Sequence, residues 1–399
     1  MPRCAKKRLT SPTIRSSISS ATYSTWVSSP IHVKAKDDAS RVIDKIGKNL
    51  GSFLKKGSIA GGVALIGIFL PVVFPAYQTQ ISYLWMMVVF ALTWDIVGGR
   101  MGYNSFGNIV FFGIGMYAAA MVQQELYFDI GEFEVIVDQV ERRLSSRQYL
   151  GGLALGMAVG AAICVATALV LGSALLSMRG HYFAICTLGL GVAVGEAAGG
   201  IEYIGAGSGM TAPLFPDALG AKGLFYSYFY FTLAAVTFLC LNWLYSTRFG
   251  LAINAIRDDE DKAEAMGLPT TRYKTIAWCI SAFFLSFAGA AFGHLNLFID
   301  PLDVAFPGAT FGVWMVLMAI LGGKGTMWGP VIGAVIFHIT QEFFWITLFG
   351  WQRVAMGFLI VLIVVAFPLG ILGWLRERWP DRFGESVTAT AREEAGRDA

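Results

Sequence analysis

The chain has 399 residues, of which 55% are hydrophobic and 14% charged; its formal net charge is +3 and its mean hydropathy +0.59. A soluble protein of this length needs far more polar surface to cover itself. Apolar runs of about twenty residues recur from Ser58, the length that crosses a hydrocarbon core as helix, and the alternating strands of a barrel are absent, so the fold class is an all-α polytopic membrane protein.

Residues 1–57 differ from the rest: twelve Lys and Arg face three Asp, and the first thirty residues are rich in Ser and Thr with no acid. The composition is that of a transit peptide, of a disordered cytoplasmic extension, or of a start codon placed too early. Ile43, Ile46, Leu50 and Phe53 fall at helical spacing among lysines, as in a basic helix resting on an anionic membrane surface.

About ten membrane segments follow, near 58–77, 81–99, 106–124, 150–177, 181–200, 224–245, 275–297, 307–322, 329–347 and 353–375, with 376–399 as a C-terminal tail. With the basic N-terminal region in the cytoplasm, the 125–149 loop is external and carries six acids against three bases. Arg179, the 247–274 loop, Lys324 and the Arg376/Arg378 end are then internal, so both termini are inside and the loop charges follow the positive-inside bias. The turn Arg100–Ser105 is either a tight cytoplasmic turn or a helix broken within the membrane. In the external loop Phe133, Val137, Val140 and Leu144 step by four, three and four, which predicts a short surface helix. Gly152, Gly156 and Gly160, then Gly191, Gly195 and Gly199, form ridges of small residues that let helices approach closely.

The five cysteines and four histidines are scattered and form no CxxC or HExxH spacing, so neither metal nor cofactor is expected. No nucleic-acid partner is expected either; the partner surface is lipid. The ionisable residues Asp95, Glu196, Glu202, His338 and Glu342 lie within or near apolar segments, and their dispersal argues for packing and interface roles over a proton relay.

Three stretches carry the functional signal. The first runs Gly102-Tyr103-Asn104-Ser105-Phe106-Gly107-Asn108 into Phe111-Phe112-Gly113-Ile114-Gly115-Met116-Tyr117. The second is Ala255-Ile256-Arg257-Asp258-Asp259-Glu260, then Ala263-Glu264-Ala265-Met266-Gly267 and Arg272-Tyr273-Lys274. The third is Leu321-Gly322-Gly323-Lys324-Gly325-Thr326-Met327-Trp328-Gly329-Pro330-Val331-Ile332-Gly333-Ala334. The third is no phosphate loop, because Gly325 follows Lys324 where a Walker A motif needs Ser or Thr, and Met318 stands where its first Gly belongs. In this order, over roughly residues 60–375, the stretches resemble the branched-chain amino acid ABC transporter permease family, whose relatives also move urea and other small amides.

The resemblance implies a permease subunit that moves branched-chain or other hydrophobic amino acids by alternating access, in a bacterial inner membrane. Its partners would be two cytoplasmic ATPase subunits, a homologous second permease and an external solute-binding protein. A urea or short-amide permease is the nearest alternative, and an ion-coupled secondary transporter the next; a membrane-embedded enzyme would need clustered catalytic residues that the sequence lacks. The polar run Thr247–Lys274, with five acids and five bases, is expected to dock on the ATPases. The resemblance assigns the coupling helix to it, with Glu264, Ala265 and Gly267 matching the core of the signature and Arg257 and Asp258 leading in. Tyr103, Asn104, Ser105 and Asn108 place polar groups where a membrane helix prefers Leu, and are read as lining a substrate path near a helix break or as a turn that satisfies its own backbone. Many relatives carry His at the position of Asn108. Gly322, Gly323, Gly325 and Pro330 are read as a hinge or as plain helix-hairpin geometry. The Gly-rich run 205–216 is placed near the external mouth, as a flexible loop or a set of amides facing a carboxylate.

Overall fold

The computed structural model describes residues 61–127, 132–136, 139–178, 180–348, 350–366 and 370–378. The basic N-terminal region with its expected surface helix, Arg179, and all but the first three residues of the C-terminal tail lie outside them. By contacts the chain divides into Met1–Leu65 and Ile66–Ala399, and everything below concerns the second unit unless stated.

Thirteen helices are described in chain order. The first, α1, spans Gly61–Val73. Then come α2 (Gln78–Gly98), α3 (Ile109–Tyr127), α4 (Ser146–Leu175), α5 (His181–Gly199) and α6 (Lys222–Tyr245). Two short helices, α7 (Arg248–Asp258) and α8 (Glu260–Ala265), precede α9 (Thr270–Asn296). The last four are α10 (Val313–Gly322), α11 (Gly329–Thr347), α12 (Gln352–Ala366) and α13 (Gly370–Arg378).

Eight spans among the described residues are long and apolar enough to cross a membrane, where the sequence suggested about ten. The difference lies at the ends. The described helix in the first expected segment stops at Val73, followed by a 3-10 turn at Pro75–Tyr77, and of the last expected segment α12 and the start of α13 are described, with residues 367–369 outside the described residues. The 307–322 segment begins earlier than expected. Asp300 accepts from the amides of Leu302 and Asp303, Pro301 follows, and two π-helical turns (Pro301–Ala305 and Gly308–Gly312) lead into α10.

The surface helix expected in the 125–149 loop is instead an antiparallel pair, β1 (Glu132–Ile136) with β2 (Gln139–Arg143), in which Val135 faces Val140 in register. The run is rich in β-branched residues and its first half, Glu132-Phe133-Glu134-Val135, alternates polar and apolar. That period of two outweighs the coincidental helical spacing of four apolar residues.

Helix α2 is apolar all round and buried all round, so it forms the axis of the bundle. Phe90 on α2 packs edge-on against Phe112 of α3 at 5.0 Å between ring centres, and Phe112 continues to Phe292 of α9. Helices α3, α4 and α9 meet through small residues, as the first glycine ridge predicts. A methyl on Gly156 would lie 2.7 Å from the Ala119 Cα, and one on Gly289 would lie 1.9 Å from the Phe112 carbonyl oxygen. The second ridge makes looser contacts: a methyl on Gly195 would sit 3.3 Å from Phe306 Cβ.

At one end of the bundle the Gly-rich run is ordered. Its strand β3 (Met210–Thr211) pairs with β4 (Phe298–Ile299), the Ala212 amide donates to the Leu297 carbonyl, and Gln124 at the end of α3 donates to the Thr211 carbonyl. At the other end are the termini of α2, α4 and α10, the starts of α3, α9 and α11, and the short helices α7 and α8. This is the face that the loop charges led us to expect in the cytoplasm.

Candidate functional site

The three sequence stretches meet on this second face. Helix α7 opens with Thr247, whose hydroxyl accepts from the Phe249 amide, and it buries Ile253 and Ile256 against the bundle. Asp259 closes the gap to α8 as its N-cap, accepting from the Lys262 amide at 3.0 Å and pairing with the Lys262 ammonium at 2.9 Å. That ammonium, then the backbone amide, holds the Asp259 carboxyl below the usual carboxylate range, and the same pairing raises Lys262.

The end of α8 follows from Gly267. Its φ of +87° is the left-handed conformation that glycine alone adopts freely. The Gly267 amide donates to the Glu264 carbonyl and the Leu268 amide to the Ala263 carbonyl, which is the paired bonding of a Schellman cap. Glu264 accepts from the Thr270 hydroxyl at 2.9 Å, fixing the turn into α9. Beyond these bonds the tip stands out: Glu264, Ala265 and Gly267 are exposed, and Met266 is 89% exposed.

The arm is anchored by a buried polar cluster. Lys274, on the first turns of α9, is 2% exposed at its side chain and donates to Glu260 Oε1 at 2.7 Å, to the Leu176 carbonyl at 2.6 Å and to the Tyr103 hydroxyl at 3.1 Å. Tyr103 in turn donates to the other Glu260 oxygen, and its ring faces the ammonium at 4.5 Å. One acid on the arm is therefore joined to the α9 start, the α4 end and the turn before α3.

The remaining residues of the first stretch are internal. Trp94 on α2 donates to the Ser105 carbonyl. The Asn108 side chain accepts from Ser105 and from the Trp278 indole, each at 2.9 Å, and donates to Ser281 at 3.2 Å. Asn108 and Ser105 are buried, Asn104 is exposed, and Tyr103 belongs to the anchor. In this conformation the polar groups of the turn are bonded to groups of α2 and α9.

The third stretch is a tight hairpin between α10 and α11. A methyl on Gly322 would lie 1.7 Å from the Gly329 carbonyl oxygen, and Thr326 bridges the turn by donating to the Gly323 carbonyl and accepting from the Gly329 amide. Gly323 and Gly325 have φ of +117° and +77°, and Pro330 sits in the first turn of α11. The hairpin is tied to α2 because buried Asp95 accepts from the Gly325 amide at 2.7 Å. Arg257 lies between the first and third stretches. A methyl on Gly102 would be 3.2 Å from its Cγ, and one on Gly325 would be 3.3 Å from its Nη1. Its guanidinium also pairs with Asp258 at 3.1 Å.

Sequence reasoning therefore found the arm and its tip and gave Asp95 a packing or interface role, but assigned no individual role to Glu260, Lys274 or Met266. A lysine at an apolar boundary, fourteen residues after an acid, was the available signal for the anchor. Among the described residues no cluster of three His, Cys, Asp or Glu is placed to hold a metal ion.

A family model described as the branched-chain amino acid transport system permease component matches residues 78–367. The high-affinity branched-chain amino acid transport system permease protein LivM of Salmonella typhimurium is 24% identical, over 84% of this chain and 79% of its own length. The corresponding LivH protein of Escherichia coli K12 is 29% identical over 32% of this chain and 40% of its own. The putative glucose ABC transporter permease protein TsgC13 of Haloferax volcanii is 33% identical over 24% of this chain and 28% of its own. No solved structure matches the chain. The match to the family model covers well over half of the sequence, from the start of α2 to the end of α12, and the chain belongs to the family of branched-chain amino acid transport system permease components.

Proposed function

We propose that the chain is the membrane-spanning permease subunit of an ATP-driven importer of branched-chain and other hydrophobic amino acids in a bacterial inner membrane. Two ATPase subunits would dock on the α7–α8 arm, a second permease would complete the path, and an external binding protein would deliver the substrate. The observation that carries this reading is the arm: an exposed tip on a short capped helix, with its base fixed to the start of α9, the end of α4 and the turn before α3 by Tyr103, Glu260 and Lys274. A soluble motor acts on a membrane protein only through a part that protrudes, and the motion reaches the bundle only where that part is rigidly held. Met266, with Ala265 and Gly267 beside it, supplies the apolar contact such docking needs, and Arg257 and Asp258 precede it at the end of α7. The α10–α11 hairpin, through Gly322, Gly323, Gly325 and Pro330, is the element the arm would tilt.

Names of the full-length relatives favour branched-chain amino acids as substrates. The test is co-purification of the tagged chain with its ATPases, and leucine uptake in proteoliposomes, comparing wild type with Met266→Asp. Loss of both ATPases and uptake, at equal membrane insertion, is expected; undiminished co-purification with the variant refutes the docking assignment.

A further inference from the structure

At the end of the bundle that carries β3 and β4, one ionisable side chain lies wholly inside. His294, in the last turn of α9, is 0% exposed. Its Nδ1 lies 2.8 Å from the Ala290 carbonyl oxygen, and its Nε2 lies 2.7 Å from the side-chain oxygen of Gln123 on α3. Gln123, itself 1% exposed, donates from its amide nitrogen to the Tyr149 carbonyl on α4 at 2.8 Å. Three helices are thus joined in one line, from α9 through the imidazole and the Gln123 amide to α4.

With a neutral ring this line is one proton short. Both of its ends are backbone carbonyls, which only accept, so each needs a donor pointing at it. A neutral imidazole has a single N–H. Placed on Nδ1, the proton leaves the Nε2 lone pair facing Gln123 Oε1; placed on Nε2, it leaves the Nδ1 lone pair facing the Ala290 oxygen. Turning the Gln123 amide over satisfies Nε2 but sets Oε1 against the Tyr149 carbonyl. Only a ring protonated on both nitrogens makes every contact a hydrogen bond. The surroundings oppose that charge. The ring is enclosed, and the Lys222 ammonium at the start of α6 lies within electrostatic reach. Tyr149 meets the ring edge-on at 5.8 Å, and its hydroxyl shares a 2.6 Å bond with Tyr226 of α6. Tyr83 of α2 packs on Phe292 of α9, and Glu125 of α3 is bonded to Tyr203. No carboxylate of a described residue pairs with the ring. The second proton is therefore held only while both bonds are made, so proton and contact depend on each other. A cavity of about 380 Å³, lined by Ser145, Ser146, Phe215 and Asp217 among others, lies two rings away, since Phe215 packs on Tyr149 at 5.5 Å.

We infer that His294 is a proton-operated clasp: the ring with two protons ties α9 to α3 and α4 at this end of the bundle, and the ring with one proton lets the Gln123 contact go. The clasp is closed at lower pH and opens as the pH rises through the titration of the ring. This end is the one that the loop charges place outside, so the proton would come from the external side. The inference uses neither the substrate nor the ATPases and stands apart from the importer reading.

The full chain, labelled with nitrogen-15 in histidine, is titrated in lipid nanodiscs from about pH 4 to about pH 9, and His294→Gln identifies the His294 signals. Nitrogen shifts of a doubly protonated ring in the lower part of that range, giving way to those of a neutral ring in the upper part, are expected. Gln123→Leu removes the second acceptor and is expected to lose the doubly protonated form throughout. Gln123→Glu supplies a charged acceptor of the same length and is expected to raise the midpoint by at least about one pH unit. Movement is read separately, from spin labels on Glu125→Cys and Asn296→Cys in a chain whose native cysteines are replaced by alanine. One narrow distance is expected below the midpoint and a longer or broader one above it, with the second form at every pH when Gln123→Leu is added. A His294 ring that keeps one protonation state across the range, or a midpoint unmoved by Gln123→Glu, overturns the proton site. A ring that titrates while the label distance stays the same overturns the clasp.

Discussion

Replacing Lys274 by methionine is expected to release the arm without dismantling the bundle. Methionine keeps most of the apolar stem but deletes the ammonium and with it the bonds to Glu260 at 2.7 Å, the Leu176 carbonyl at 2.6 Å and Tyr103 at 3.1 Å. Removing one partner of a buried ion pair costs about 3–5 kcal/mol, mainly because the other charge is left desolvated. Glu260 remains 13% exposed, so some hydration reaches it, and the lower figure applies. A loss of about 3 kcal/mol is roughly a 150-fold shift from docked toward released arm. Glu260→Gln removes the charge that pairs with the ammonium and leaves it only neutral acceptors, the amide oxygen among them, and is expected to cost about 2–3 kcal/mol. The double variant leaves no buried charge, so its cost should fall short of the sum by about 1.5–3 kcal/mol. Hydrogen exchange at the amides of residues 263–268 reads the free energy of local opening, and leucine uptake reads its consequence. Additive single effects, or unchanged exchange in Lys274→Met, would refute the anchor.

The other expectations concern caps and ties. Gly267→Val forces a β-branched residue to a φ of +87° and should weaken the end of α8 by about 1–2 kcal/mol, with Gly267→Asn milder. Nothing lies within 4 Å of the added carbon, so equal exchange protection at Leu268 in the Val and wild-type chains would exclude the conformational cause. Asp95→Ala removes the acceptor for the Gly325 amide and the negative charge facing Arg100, Arg257 and Lys324. A loss of about 1.5–3 kcal/mol in thermal unfolding is expected. Asp95→Asn should recover part of it, since its carbonyl still accepts; an Asn variant as unstable as Ala would contradict the hydrogen-bond account. The Asp259 cap depends on pH in a defined direction. Lys262 depresses the Asp259 carboxyl, so the cap's contribution is fully present above the ordinary aspartate pKa of about 3.9 and is lost as the pH falls through the lowered value. Titration of the Asp259 carboxyl by carbon NMR should show this depression in wild type and its loss in Lys262→Met.

Composition and apolar length made the membrane class legible, because no soluble fold tolerates such runs. The central helices were placed to within a few residues for the same reason. The failures occurred where that signal is weakest. Around Phe133 and Val140 four apolar residues fit a helical step by chance, and the dense β-branched run decided otherwise. At the start of the membrane region, hydropathy alone could not foresee a helix ending at Val73. In the site, the arm was legible because charge between two oily segments is conspicuous. Its anchor was not, because Tyr103, Glu260 and Lys274 are joined only by folding: 157 residues separate the first two. The polar run Ser105–Asn108 was conspicuous for the right reason, a need for partners, but the sequence could not say that Trp94, Trp278 and Ser281 provide them.

The arm makes two connections of different kinds, and the difference bears on how force passes through it. At α8 the tie is polar: Glu260 is bonded to Tyr103 and Lys274, an arrangement that breaks as a unit when any member is withdrawn. At the end of α7 the tie is steric, since Arg257 lies where a methyl on either Gly102 or Gly325 would crowd it. Both glycines have positive φ, so their turns are already in conformations that leave the Arg257 side of the backbone bare. A push on the tip that moves α7 toward the bundle would therefore meet the turn before α3 and the α10–α11 hairpin together. Asp95 carries the second displacement into α2 through the Gly325 amide, and α2 is the helix around which the rest of the bundle is packed. If ATPases dock on the arm as proposed, the polar tie would hold it in register while the steric tie would turn its motion into motion of the core. An arm held by either tie alone would swing on it or slide past it.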